Sequence, residues 1–186
     1  MAHNTLVSDN YHFFYDPYLY GLDSDFFKVT SGAVACIGGK IRINSGKLNT
    51  LGTFLFGDYI MMSTIPTAPT GGDSRIFGLY SQAYGNRNAA YFFISGTNFY
   101  ARSYSDDSSV AEQSTLVWDT AWNNTPTNFT IKWRIDRVEF WADGRLLALH
   151  TEKVPANERM IPMYFYNSAN DGMFLNYLEL ANVRKT

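Results

Sequence analysis

The chain has one cysteine, Cys36, among its 186 residues, so no internal disulfide can form and a disulfide-stapled secreted module is excluded. No histidine stands in the same local pattern to activate that thiol, and Cys36 reads as a small hydrophobe on a strand rather than a nucleophile. Long apolar runs are missing too: nothing approaches the roughly 20 residues a membrane-spanning helix needs. No window carries a 3.6-residue apolar stripe, which removes the amphipathic helix as the main building unit. Cationic excess is also absent. Lys plus Arg number 15 against 17 Asp plus Glu, a net charge of −2, which argues against nucleic-acid or anionic-membrane partners held by bulk positive charge. The opening MAHNTLVSDNYHFF has no basic stretch followed by an apolar one, so the protein is expected to be made in the cytoplasm without a signal peptide.

What the chain has in quantity is rings: 14 Phe, 13 Tyr and 4 Trp make it 17% aromatic, as many residues as are charged. Such a composition, rich also in Gly and Asn, favours strands and turns. The clearest stretch is NFTIKWRIDRVEFWADGRLLALH, Asn128 to His150. There Phe129, Ile131, Trp133 and Ile135 alternate with polar residues, the period of a strand with one buried face. Asp143-Gly144 marks a type I′ hairpin, whose central residues need positive φ. Pairing across it sets Ala142 against Arg145, Phe140 against Leu147 and Val138 against Leu149. A second reversal at Asp136-Arg137 sets Ile135 against Val138, Trp133 against Phe140 and Ile131 against Ala142. Both registers commit the same apolar residues to one face, and a one-residue slip would undo the agreement.

Further strands are expected at Phe26–Val29 and Ala33–Ile43, with turns at Ser31-Gly32 and Gly38-Gly39 and a turn-rich stretch over Lys47–Thr53. Phe54–Ile65 and Arg75–Ser81 follow, then a hairpin of Ala89–Ser95 and Asn98–Ser105, a polar loop over 105–114 and a short Leu116–Trp118. Met160–Tyr166 and Met173–Val183 end the chain. About a dozen short strands punctuated by turns predict an all-β, two-sheet antiparallel sandwich, one domain over residues 26–186. Before it, residues 1–25 carry the aromatic run YHFFYDPYLY. Pro17 bars this run from a central strand. It is either an edge strand packed on the domain or an arm whose Phe13, Phe14, Tyr15, Tyr18 and Tyr20 dock on a partner.

The succession FFKVTSGAVACIGGKIRINSG, GDYIMMSTI, RIFGLYS, AAYFFIS, NFYARSY, FTIKWRIDRVEFWADGRLLALH and FLNYLELANVRK looks like the concanavalin A-like lectin/glucanase superfamily, across residues 26–184. Its most specific piece, W-x-x-x-x-V-x-F-W-x-D-G from Trp133 to Gly144, resembles the laminin-G-like and family 16 glycosidase form. The resemblance implies a jelly-roll β-sandwich whose concave sheet is the usual ligand groove; the superfold hosts many activities. Retaining glucanases of that superfamily place carboxylates on an E-x-D-x-x-E strand, about 5–5.5 Å apart. The strands RIFGLYS, AAYFFIS and NFYARSY hold no Asp or Glu, no Q-x-H of the jelly-roll lyases occurs, and His3, His12 and His150 are scattered. The expectation is a protein without catalytic residues, not an enzyme. Lectins of this superfamily bind calcium, but Asp106-Asp107 and Asn170-Asp171 are the only dense oxygen clusters. Neither reaches the six to eight ligands calcium takes. They read as turns, so no cofactor or metal site is expected.

Sugar rings stack on exposed aromatic faces while polar groups orient their hydroxyls. Tyr100, Arg102 and Tyr104 share one face of their strand and Tyr91 offers itself from the preceding one, which makes these four the candidate glycan-binding residues. Lys132 beside Trp141 and Arg134 beside Glu139 read instead as a solvated outer face. Lectin-fold domains without leader or disulfide resemble components of phage particles. The expected role is therefore a non-enzymatic recognition or structural module on a virion surface, binding a glycan or a neighbouring structural protein, with homo-oligomers among its assemblies. The alternatives are a carbohydrate-binding module of a polysaccharide-degrading system and a divergent glycoside hydrolase or polysaccharide lyase.

Overall fold

The computed structural model describes residues 11–51, 59–67, 74–81, 85–105, 112–118, 127–155, 160–168 and 172–183. Among these, thirteen strands and one four-residue helix form. The strands are β1 (Tyr11–Tyr15), β2 (Phe27–Ile37), β3 (Lys40–Thr50), β4 (Tyr59–Thr67), β5 (Arg75–Ser81), β6 (Gly85–Ser95) and β7 (Asn98–Tyr104). They continue with β8 (Glu112–Trp118), β9 (Phe129–Arg134), β10 (Val138–Ala142), β11 (Arg145–His150), β12 (Met160–Asn167) and β13 (Met173–Val183). All pairings are antiparallel, in the order β11-β10-β9-β4-β13-β3-β12-β5-β6-β7-β8, with β1 added on β13 and β2 on β3.

This ladder folds over into two layers where β13 meets β3 through only Ile41–Ile43; beyond Ser45, which has φ 40°, β3 pairs with β12 instead. The layers close on a ring-rich core. Phe129 of β9 lies 5.4 Å from Phe77, 5.1 Å from Phe92 and 5.2 Å from Phe99 between centroids, and Phe92 meets Phe140 edge-on at 5.2 Å. Aromatic pairs of this geometry contribute about 0.5–1.5 kcal/mol each beyond their buried area. Trp133, Ile131, Val138 and Phe140 are wholly buried. The expected two-sheet jelly-roll sandwich is the observed architecture.

The hairpin triplet forms with its faces as expected on β9 and β10, but both registers differ. Val138 pairs with Trp133, Phe140 with Ile131 and Ala142 with Phe129, two residues off the expected match. The reversal takes in Ile135 as well as Asp136-Arg137, closed by Arg134 N–H donating to the Arg137 carbonyl at 2.8 Å. Ile135 is left 74% exposed instead of facing Val138. A shift of two preserves the face, because side chains alternate with a period of two. Across the Asp143-Gly144 turn, where φ is 46° and 77°, Ala142 meets Arg145 as expected, but a bulge between Phe140 and Trp141 then sets Phe140 against Ala148 and Val138 against His150. One extra residue exchanges the two faces, so Ala148 and His150 are buried while Leu149 is exposed and Leu147 only half-buried.

Two further differences matter for the site. β2 runs unbroken from Phe27 to Ile37, absorbing Ser31-Gly32 as bulges, and β3 continues to Thr50 where turns were expected. The long strand expected from Phe54 is described only from Tyr59 onward.

At the N-terminal side, β1 pairs with β13 and the helix α1 (Pro17–Tyr20) follows. Asp16 caps it by accepting from the Tyr18 N–H at 2.8 Å, and Pro17 opens it, where a missing N–H costs nothing. Tyr15 is 1% exposed. Its ring meets Phe27 edge-on at 4.8 Å, and its hydroxyl donates to the Gly21 carbonyl at 2.6 Å while accepting from the Asp23 N–H. Tyr15 is thus part of this domain's core and leaves the set of docking candidates. Tyr18 and Tyr20 are exposed at 79% and 59%; Phe13 and Phe14 are described only as strand positions facing Leu180 and Glu179.

Candidate functional site

Strands β5, β6 and β7 turn Phe77, Phe92, Phe99 and Ala101 toward the core. Period two sends the alternate residues to the opposite, outward face, and the pairing lines them up in rows. Gly78, Tyr91 and Arg102 make one row, Ile76, Phe93 and Tyr100 the next, and Tyr80, Ala89 and Tyr104 a third. The four residues singled out from the sequence, Tyr91, Tyr100, Arg102 and Tyr104, therefore meet on one face. The Arg102 guanidinium sits over Phe93 at 4.2 Å and over Tyr100 at 5.1 Å from the ring centroids. Tyr91 and Tyr104 stack at 6.4 Å with a 12° interplanar angle. Tyr91 is 7% exposed, because it lies directly over Gly78. A Cβ there would stand 2.5 Å from the Tyr91 Cα and 2.4 Å from the Ala90 carbonyl oxygen.

Beside this cluster lies a cavity of about 540 Å³, bounded by Thr30 and Ser31 of β2, Lys47 and Asn49 of β3, Tyr80 of β5 and Tyr91 of β6. Lys47 and Asn49 were missed in sequence because polar residues beside Gly46 read as turn. The Asn49 side chain, 8% exposed, donates from Nδ2 to the Tyr80 hydroxyl at 3.2 Å, while its Oδ1 is buried without a hydrogen-bond partner. A water or a ligand hydroxyl is the kind of group that satisfies such an acceptor. Burial raises the Tyr80 pKa, against the lowering effect of the Asn49 bond, so its hydroxyl stays protonated at neutral pH. The Lys47 ammonium is 5.5 Å from the Tyr166 ring centroid. Among the described residues no Asp or Glu lines the cavity.

The outer face of β9 and β10 is built differently. Lys132 lies over Trp141 at 4.7 Å, and Glu139 accepts from Arg137 Nε at 2.8 Å and from Trp141 Nε1 at 3.2 Å, with Arg134 Nε 3.6 Å away. Burial pushes the Glu139 carboxyl up, but these bonds and the two guanidinium charges outweigh it and hold the pKa below the ordinary value. The Glu139 carboxylate is thus answered by two guanidinium groups. On β13 the Tyr177 hydroxyl donates to Glu179, and burial followed by that carboxylate drives the phenol pKa well above its usual range.

His150 is fully buried between the layers, with Nδ1 2.9 Å from Ser103 Oγ and Nε2 2.9 Å from Thr115 Oγ1. Ser103 is itself wholly buried, so this Ser–His contact is closed to substrate and joins sheets. Cys36 is half-buried, its thiol 3.5 Å from the Pro17 carbonyl. Asp106-Asp107 and Asn170-Asp171 lie outside the described residues. Among the described residues no group of three or more His, Cys, Asp or Glu side chains could hold a metal.

No protein-family model and no curated protein matches the chain by sequence. Solved structures do. The Bacillus licheniformis β-glucanase is similar with a TM-score of 0.66 at 14% identity, over 93% of this chain and 98% of that one. The carbohydrate recognition domain of Emp47p reaches 0.69 at 12% identity, over 96% and 97%. β-Agarase A, solved with oligoagarose, reaches 0.71 at 8% identity, over 93% of each chain. These likenesses establish the fold as the concanavalin A-like jelly roll, an architecture shared by glycan-binding and glycan-cleaving proteins.

One expectation is corrected by them. Glycoside hydrolases and transglycosylases are among the similar structures, so the fold is one that carries catalysis, and the reading of the chain as not an enzyme is overturned. That reading surveyed carboxylates on three strands only. A groove draws on every strand and loop that borders it, and Glu112 of β8, the cross-strand partner of Tyr104, was outside the survey.

Proposed function

We propose that the outward face of β5, β6 and β7, with the adjoining cavity, binds a glycan chain. The observation that carries this is the packing of Arg102 over Phe93 and Tyr100 beside the Tyr91–Tyr104 stack. It presents ring faces together with fixed polar donors, the combination that sugar C–H faces and hydroxyls require. A 540 Å³ cavity falls within the range of small-ligand sites, about 300–1,000 Å³. The test is retention on a polysaccharide array: Tyr100→Ala and Tyr104→Ala should weaken it while leaving the melting temperature nearly unchanged. Equal retention of wild type and both variants would refute the assignment.

Turnover of the bound glycan is the second reading, favoured by the glycosidases and transglycosylases among its structural neighbours. It predicts release or transfer of sugar from β-glucan or alginate, abolished by a single Glu or Asp substitution. A third, assembly on a virion surface, is favoured by the exposed Tyr18, Leu19 and Tyr20 on α1. It predicts that the isolated chain is trimeric or larger, and that removing residues 1–25 stops particle attachment without unfolding the sandwich.

A further inference from the structure

We infer that Tyr80 is a further sugar-binding ring of this face, set in place by Asn49, and that the ligand is an oligosaccharide long enough to span from Tyr104 to Tyr80. The inference rests on the glycan reading above and adds to it a binding residue, a positioning residue and a minimum length. Phe77 and Leu79 are wholly buried on the core side of β5, so alternation turns Tyr80 outward with Gly78. In its cross-strand row Ala89 separates it from Tyr104. The two tyrosines therefore rise from strands two spacings, about 10 Å, apart with a single methyl between them. One sugar ring does not reach both; a chain laid along the row does.

What sets Tyr80 apart is how it is held. Asn49 stands on β3 and Tyr80 on β5, with β12 between them, so their backbones are also at least two strand spacings apart. Side chains standing upright across that gap would not meet. The Asn49 Nδ2 nevertheless donates to the Tyr80 hydroxyl at 3.2 Å. Both side chains therefore lean over β12, and the half-buried Tyr80 ring lies down along the sheet, where it lines the cavity. A ring laid down in this way is what the C–H face of a sugar packs on. Asn49 does this at a cost to the fold: it is 8% exposed, and its Oδ1 is buried with no hydrogen-bond partner. Leucine, of similar size, would leave no bare acceptor there. The amide thus weakens the fold locally while fixing a ring at the cavity, the reverse of a structural role.

The experiment titrates the full chain calorimetrically with cello-, laminari- and chito-oligosaccharides, from disaccharide to hexasaccharide, and records melting temperatures. In the series that binds, wild-type affinity should rise from disaccharide to tetrasaccharide. Tyr80→Ala should flatten that rise, weakening the tetrasaccharide about tenfold, the loss of one ring contact. Asn49→Leu and Tyr80→Phe both remove the bond and keep the ring. Each should weaken the tetrasaccharide about threefold, and the double variant no more than either, because the two residues act through one contact. Asn49→Leu should melt no lower than wild type. Tetrasaccharide affinity unchanged in Tyr80→Ala, losses that add in the double variant, or an Asn49→Leu that melts lower with unmoved affinity would overturn the inference. The glycan reading would still stand on the loss in Tyr100→Ala. Binding of none of the three series would remove both.

Discussion

Acidification should loosen this sandwich through one residue. β11 and β8 are the two ends of the hydrogen-bonded ladder, and His150 of β11 joins Thr115 of β8 and Ser103 of β7 at 2.9 Å each. The ring of Phe140 covers it at 5.1 Å, and burial alone drives its pKa down from 6.5 to about 4. The sign follows from proton counting. Below pH 6.5 the unfolded chain binds a proton at His150, whereas the folded chain does so only near pH 4. Stability contributed by the neutral ring is thus complete above 6.5 and falls with pH through the window down to about 4. A depression of about 2.5 units corresponds to a limiting loss of roughly 3 kcal/mol, of which about 2 kcal/mol is reached by pH 5.

Urea denaturation at about pH 8 and about pH 5, extrapolated linearly, measures the loss. His150→Gln supplies the baseline, since it keeps one hydrogen-bonding arm and cannot titrate. The variant should be less stable than wild type at pH 8 and lose about 2 kcal/mol less on acidification. Identical pH dependence in the two proteins would refute the argument, because every other carboxylate and histidine is common to both.

Gly78→Ala places a methyl 2.4–2.5 Å from the Ala90 carbonyl and the Tyr91 backbone; about 1–3 kcal/mol of destabilisation and displacement of Tyr91 should show in thermal melts and near-ultraviolet dichroism. Trp133→Ala empties a fully buried site and should cost about 3–5 kcal/mol in denaturant unfolding. Glu139→Gln weakens the bonds from Arg137 and Trp141 and should cost about 1 kcal/mol at neutral pH. That difference should vanish as pH falls through the depressed carboxylate pKa, the reverse of no change, which would mark the cluster as solvated and idle.

The parts legible in the sequence are those governed by local period. Alternation alone put Tyr100, Arg102 and Tyr104 on one face, and the apolar alternation of Phe129 to Trp133 named core residues that are indeed wholly buried. Arg102 over Phe93 needed the residue-by-residue β6–β7 register, which the expectation of a hairpin there did not specify. The bulge at Phe140/Trp141 was invisible for a different reason: LLALH offers apolar residues at both parities, so hydrophobicity could not choose between Leu149 and His150. What chose is hydrogen bonding, since Ser103 and Thr115 satisfy both ring nitrogens. The cavity wall at Lys47 and Asn49 was hidden because a strand whose outward residues face a groove has no apolar signature on that side.

Parity also explains how this sandwich separates folding from recognition. The hairpin at Asp136-Arg137 tolerates a two-residue displacement because the buried set is unchanged, whereas the single extra residue of β11, opposite Phe140/Trp141, exchanged the faces of Ala148, Leu149 and His150. Outward residues on β5, β6 and β7 stand under no such restraint: each is backed by a buried partner one position away, Phe92 behind Phe93, Ala101 behind Arg102. Substituting Tyr100 or Tyr104 therefore alters the face without opening the core. Gly78 is the exception, the one outward position in those rows where backbone contact with Tyr91 fixes the residue. A face so decoupled can carry rings and cations, or acids, on the same scaffold. Its function has to be read from the side chains it presents, and here these are stacked phenols and ring-mounted cations around an open cavity.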